Sequence, residues 1–299
     1  MSIGETLERW PPVVQCAFWI IVAGVLGVAQ LAAVRHIAPD THIFVIVFFR
    51  SVFGLMFLSP LMVSHGGMHF RSGHKNLLVL CGVIAFIATA CLYFAAKHMP
   101  LADITAIHFT RPIFASIVAA VVLREVLSGN RILALVFGVI GAAIIIRPGL
   151  VSVNIGVLYV AGVIAAQSFN PIVRKTLSKA KVHPDTVAIW VALAGLPLAT
   201  IAATFVWVTP TWYVLGWMVF IALCETLNQR VLGRAYGTGD AIVVVGLHYT
   251  RLPIAALVGL LAFGDVPEIW IWLGAAVIAI GAVILVKGEM NNGKSGVSL

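Results

Sequence analysis

Stretches of about 20 mostly apolar residues, the length of a membrane-spanning helix, follow one another along almost the entire chain with only short polar breaks. In lipid each backbone N–H and C=O must find its partner inside the same helix or in a closed barrel, and uninterrupted apolar runs of this length answer as helices. Hydrophobic residues fill 61% of 299 positions and charged residues 10%, a balance that excludes a water-soluble domain of this size. Ten transmembrane helices are predicted, near residues 13–34, 42–63, 75–96, 100–123, 130–146, 153–177, 185–207, 211–236, 239–261 and 268–286. The first run follows a head carrying Arg9 but is longer than the apolar core of a signal peptide, so it is expected to be retained. Cys16, Cys81, Cys91 and Cys224 fall inside apolar runs without the spacing of a disulfide framework or a zinc site, and read as packing residues.

Lysines and arginines set the orientation, because cytoplasmic loops retain an excess of them. With the amino terminus inside, the inner side holds Arg9, Arg71, Lys75, Arg124, Arg131, Arg174, Lys175, Lys179, Lys181, Arg234, Lys287 and Lys294, while the outer side holds Arg35, Lys97 and Arg147. Both termini are therefore expected in the cytoplasm.

An internal repeat appears when the chain is slid along itself by 140 positions, which lays His108-Phe109-Thr110-Arg111 on His248-Tyr249-Thr250-Arg251. The same offset matches Glu125 with Asp265, Gly141 with Gly281 and Arg147 with Lys287. Five helices per half make the second copy enter the membrane from the opposite side. The charges agree: Arg71 and Lys75 have no basic counterparts between the seventh and eighth helices, whereas the loop after the sixth gains four. The expected fold is thus an all-α membrane protein of two inverted five-helix repeats, residues 1–149 and 150–299.

Ionisable residues inside a bilayer need a partner or a wet cavity. Arg111 and Arg251 lie mid-helix, each three residues after a histidine and on the same helical face. Pro112 and Pro253 each free the carbonyl four residues earlier, so both helices are expected to kink there and to line the centre. Glu225, Asn228 and Gln229 share one face of the eighth helix, and Gln167 and Asn170 one face of the sixth. Two readings fit these faces: a polar wall for substrate, with Glu225 neutralising an arginine or carrying a proton, and a network that braces the bundle. His108 and His248 fit either proton carriers or neutral histidines bonded to a neighbouring helix. Arg50 is placed to anchor an anion or, slightly better, to snorkel outward. Among the tryptophans, Trp19, Trp190 and Trp217 lie deep enough to line a cavity, while Trp10, Trp207, Trp212 and Trp270 sit near helix ends.

His65, His69 and His74 fit no zinc spacing, so no metal and no cofactor is expected. HExxH, GxSxG, GxGxxG after a strand and a P-loop lysine are all absent from the sequence, which argues against an enzyme and against ATP-driven pumping. A membrane-embedded enzyme with unfamiliar residues, or a non-transporting receptor using glycine pairs such as Gly24 with Gly27, remain as alternatives.

Phe48-Phe49-Arg50, the block Thr110-Arg111-Pro112 through Arg124-Glu125, Gly138 to Gly149, Ala235-Tyr236, Tyr249 to Pro253, and Phe263-Gly264-Asp265-Val266-Pro267 together resemble the EamA-type ten-helix carriers of the drug/metabolite transporter superfamily. Arg124, where many relatives have glycine, and Asp265, where many have glutamate, depart from the pattern in loops. The resemblance implies alternating access by two inverted repeats around a central substrate, in a bacterial inner membrane. Cargoes across that family include amino acids, nucleobases, drugs, riboflavin and S-adenosylmethionine. Arg111 and Arg251 for a carboxylate, Glu225 for a cationic group and the deep tryptophans for an apolar side chain suit an amino acid exported from the cytoplasm. Uptake of a vitamin or nucleoside-like metabolite is the alternative. The expected partners are a small-molecule substrate, the lipid bilayer and coupling protons, with no nucleic acid, and the chain is expected to be a monomer.

Overall fold

The computed structural model describes residues 12–64, 74–122, 129–147, 154–169, 184–238 and 250–295, with the single positions 173, 176, 177, 180, 182 and 248. Among these the fold is helical throughout. The helices are α1 (Pro12–Ile37), α2 (Ile43–Ser64), α3 (Lys75–His98), α4 (Leu101–His108), α5 (Arg111–Val122), α6 (Gly129–Ile146), α7 (Ile155–Ser168), α8 (Pro184–Thr204), α9 (Trp212–Thr238), α10 (Arg251–Phe263) and α11 (Ile269–Ser295). By length and composition Val14–Ile37 and Lys75–His98 could each cross a membrane, and shorter apolar helices accompany them. Large apolar side chains face outward on many helices, Met56, Leu158, Leu257 and Leu261 among them, as lipid as the surrounding solvent requires.

The continuous fourth helix expected over residues 100–123 is two helices. Phe109 and Thr110 form a turn, their N–H groups donating to Ala106 and Ile107 three residues back. Pro112 has no N–H to offer the His108 carbonyl, so the chain breaks two residues before it and restarts at Arg111. Thr250 is likewise a turn, and Arg251 opens α10 with Pro253 in its first turn, where a missing N–H costs nothing. The kinks expected at Pro112 and Pro253 are thus helix starts. Of the segment before Thr250, only His248 is described.

Packing follows a regular pattern. The main contacts are α1 with α9, α3 with α7, α3 with α8, α2 with α9, α2 with α8, α6 with α11, α1 with α10 and α5 with α7. The 140-residue offset pairs α1 with α7, α2 with α8, α3 with α9, α5 with α10 and α6 with α11. Applying that exchange turns α1–α9 into α7–α3, α2–α9 into α8–α3 and α1–α10 into α7–α5, and returns α2–α8 and α6–α11 to themselves. Each of these eight contacts therefore has its counterpart or is its own. Individual atoms repeat the rule at the α6–α11 interface, where Gly141 faces the Gly274 carbonyl and Gly281 faces the Ala134 carbonyl, the same two positions interchanged. A Cβ on Gly141 would come within 2.7 Å of that Gly274 oxygen, so glycine is what lets the two backbones approach so closely.

Candidate functional site

Polar side chains from both halves meet in the interior. Arg50 on α2 reaches Glu225 on α9, Nη1 to Oε1 at 3.6 Å, with the two side chains 19% and 27% exposed. One turn along α9 the Gln229 amide donates to Glu225 Oε1 at 3.0 Å, fixing the carboxylate. Arg50 Nη2 also donates to the Thr89 hydroxyl on α3 at 3.5 Å. Tyr93, one turn further on α3, is fully buried, and its hydroxyl accepts from the Gln30 amide of α1 at 2.6 Å. Arg50 therefore turns inward to a carboxylate instead of snorkelling, because α9 offers a partner that the bilayer surface does not match.

The two repeat-related arginines lie beside this group. Arg111, first residue of α5, donates from Nη1 to Gln167 Oε1 on α7 at 2.5 Å. Arg251, first residue of α10, lies against α1, where a Cβ added to Gly27 would sit 2.8 Å from its Nη2 and 3.0 Å from its Cζ. His108, His248, Arg111 and Arg251 are all within electrostatic reach of one another, and Glu225 is within reach of Arg251. His108 Nε2 and the Nε atoms of Arg50 and Arg251 are buried without a hydrogen-bond partner among the described residues. The centre is consequently rich in unsatisfied donors, with three guanidinium groups against one described carboxylate.

The other expected site residues divide. Gln229 joins the centre through Glu225, whereas Asn228, half-buried beside them, has no described bond. Trp190 packs against a smaller apolar cluster around Leu78, Cys81 and Ile84. Asn170 lies outside the described residues, as do His65 and His69 and the side chain of Pro112. Pro253 is exposed. Gln30, Thr89 and Tyr93 were not singled out from sequence. Gln30 carried a signal, being an amide deep in an apolar helix at the position the offset pairs with Asn170.

A second polar group closes the end of the bundle carrying Arg35 and Arg147. Arg35 pairs with both carboxylate oxygens of Asp265 and stacks over the Phe263 ring, its Cζ 4.4 Å from the centroid. Arg147 pairs with Glu268 at 2.5 Å. A cavity of about 100 Å³ lies between them, lined by Asp103, Ala255, Gly259 and Trp270. No group of three His, Cys, Asp or Glu side chains suited to a metal ion occurs among the described residues.

Comparison with known proteins sets this geometry beside a family of carriers. The EamA-like transporter family matches residues 14–147. The riboflavin transporter of Vibrio cholerae is 28% identical over 283 residues, covering 92% of this chain and 94% of its own length. The S-adenosylmethionine uptake transporter of Rickettsia bellii is 24% identical, covering 91% and 93% respectively. The pseudopaline exporter of Pseudomonas aeruginosa is 28% identical over 246 residues, covering 80% and 84%. A solved crystal structure superposes with a TM-score of 0.59 over 91% of this chain and 96% of its own, at 16% identity, a likeness of fold. An EamA-like match over residues 14–147, relatives named as transporters that align along nine-tenths of the chain, and a polar centre walled by apolar helices lead to one conclusion: the chain is similar to EamA-type small-molecule transporters, a likeness that points to a transporter rather than an enzyme.

Proposed function

We propose that the chain is a secondary transporter working by alternating access, its two five-helix copies, residues 1–149 and 150–299, inserted in opposite senses, with both termini cytoplasmic in a bacterial inner membrane. The exchange symmetry of the helix contacts supports this reading. The observation that carries the site is the convergence of Arg50 and Glu225, Arg111 and Gln167, and Arg251 on one interior region from both halves. Buried charge of this kind marks a substrate path in a membrane protein, since a purely structural core would be cheaper in apolar residues.

For cargo, uptake of a heteroaromatic metabolite of vitamin or nucleoside type ranks first, because the relatives that match over nine-tenths of both chains bear the names riboflavin transporter and S-adenosylmethionine uptake transporter. Rings next to Arg50 supply the stacking surface such a solute needs: Phe49 lies 6.0 Å from Phe53 and 5.9 Å from Trp207. Amino-acid export is the second reading, favoured by the guanidinium and carboxylate groups side by side, which suit a zwitterion. Counterflow in proteoliposomes separates the two. Liposomes preloaded with unlabelled solute should accumulate labelled riboflavin or S-adenosylmethionine unchanged. Counterflow of amino acids alone would move the second reading to first place, and no counterflow across the panel by well-folded protein would reject the carrier assignment.

A further inference from the structure

The 140-residue offset that maps Arg111 onto Arg251 also maps Gly27 onto Gln167, and the structure uses both correspondences. Arg111 of α5 meets position 167 of α7, and Arg251 of α10 meets position 27 of α1. The two halves thus build the same contact twice, with one difference. Where Gln167 gives Arg111 an acceptor, Gly27 gives Arg251 nothing but space. Its Nε is buried without a partner, and among the described residues no hydrogen bond or salt bridge engages its guanidinium. Glu225, the carboxylate that could have served it, is held by Arg50 and Gln229 instead. His108 Nε2, in the same neighbourhood, is buried and unpartnered too.

A buried guanidinium with its donors unfilled is costly, and its planar fork matches the two oxygens of a carboxylate or phosphate better than any other ligand. We propose that Arg251 is the anion anchor of the transport site, that Gly27 is the specificity-determining position that leaves it open, and that Arg111 is its braced twin, kept for structure. The cargo then carries an anionic oxygen group, a carboxylate or a phosphate. This rests on the central site argued above and sharpens it, for it sets S-adenosylmethionine-like solutes, which bear a carboxylate, apart from neutral riboflavin. Glutamine at position 27 would reproduce the Arg111–Gln167 contact and fill the anchor with a side-chain amide. Alanine there would push the guanidinium aside by several tenths of an ångström.

Counterflow kinetics of the full-length protein test the assignment with five probes: S-adenosylmethionine and its decarboxylated form, riboflavin and flavin mononucleotide, and a free amino acid. Gly27→Gln and Arg251→Gln should raise KM for the carboxylate- or phosphate-bearing probe roughly tenfold to a hundredfold, as expected for loss of a charge-assisted bidentate bond. Each should leave the KM of any neutral probe within about twofold, and Gly27→Ala should fall between. Arg111→Gln should lower flux of every probe together with thermal stability. A KM for the anionic probe unmoved by Gly27→Gln, or an equal loss for neutral and anionic probes in Arg251→Gln, overturns the anchor. So does wild-type counterflow of riboflavin with none of any anionic probe, which leaves the carrier assignment standing. Absence of counterflow for all five rejects the carrier reading itself, and the anchor with it.

Discussion

Replacing Glu225 by glutamine removes the one described carboxylate of the central site and leaves Arg50 with hydroxyl partners, Thr89 at 3.5 Å and the buried Tyr93. At the observed 3.6 Å separation the Coulomb attraction is about 5 kcal/mol for an effective dielectric constant near 20. Burial of the two charges offsets a large part of that, and exposures of 19% and 27% admit some screening, so a net coupling of roughly 1–3 kcal/mol is expected. A double-mutant cycle with Arg50→Gln, Glu225→Gln and the double variant, read by thermal unfolding of detergent-purified protein, isolates this term. Each single variant should unfold several degrees below the wild type, and the double variant should lose less than their sum. The coupling should change little between about 0.1 and 1 M salt, because the pair is mostly removed from solvent. A coupling within error of zero, or Glu225→Gln indistinguishable from wild type in both stability and flux, refutes the claim that the pair is a working part of the centre.

Two further perturbations follow from the same geometry. Tyr93→Phe strands the buried Gln30 amide and should cost about 1–3 kcal/mol, whereas Tyr93→Phe combined with Gln30→Leu should recover most of the loss, as thermal unfolding would report. At the α6–α11 interface, Gly141→Ala forces a Cβ to within 2.7 Å of the Gly274 carbonyl and should destabilise by about 1–3 kcal/mol, while Gly54→Ala, with nothing near its added carbon, should be close to neutral.

Much of the architecture was legible because the solvent is lipid. Hydrophobic length alone placed α3 at Lys75 and α6 within a residue of Gly129, and the 140-residue offset that aligned Arg111 with Arg251 also pairs the first residues of α5 and α10, and of α6 and α11. Pro112 pointed to the break in the fourth helix, but its form, a turn at Phe109 and Thr110, depends on where the freed His108 carbonyl lies. Side-chain partners were less accessible. Nothing local tells Arg50 to meet Glu225, 175 positions away, and not the membrane surface; that choice is made by how α2 packs on α9. The pairing of Gln30 with Tyr93 is illegible for the same reason, since it exists only once the two helices are brought together. Trp190 likewise packs on Leu78, Cys81 and Ile84, neighbours that its own segment does not reveal.

The account depends on the Arg251 segment lying against α1 in the interior of the bundle, and an engineered disulfide measures that directly. A Cβ at Gly24 would lie 3.8 Å from the Arg251 Cβ, a separation typical of disulfides. In a variant with Cys16, Cys81, Cys91 and Cys224 replaced by alanine, the pair Gly24→Cys and Arg251→Cys should therefore cross-link in native membranes under mild oxidation, with mass spectrometry identifying the bridged peptides. Two thiols that stay separate, with the cysteine at position 251 instead labelled by a lipid-soluble maleimide from the bilayer, would contradict a shared interior site.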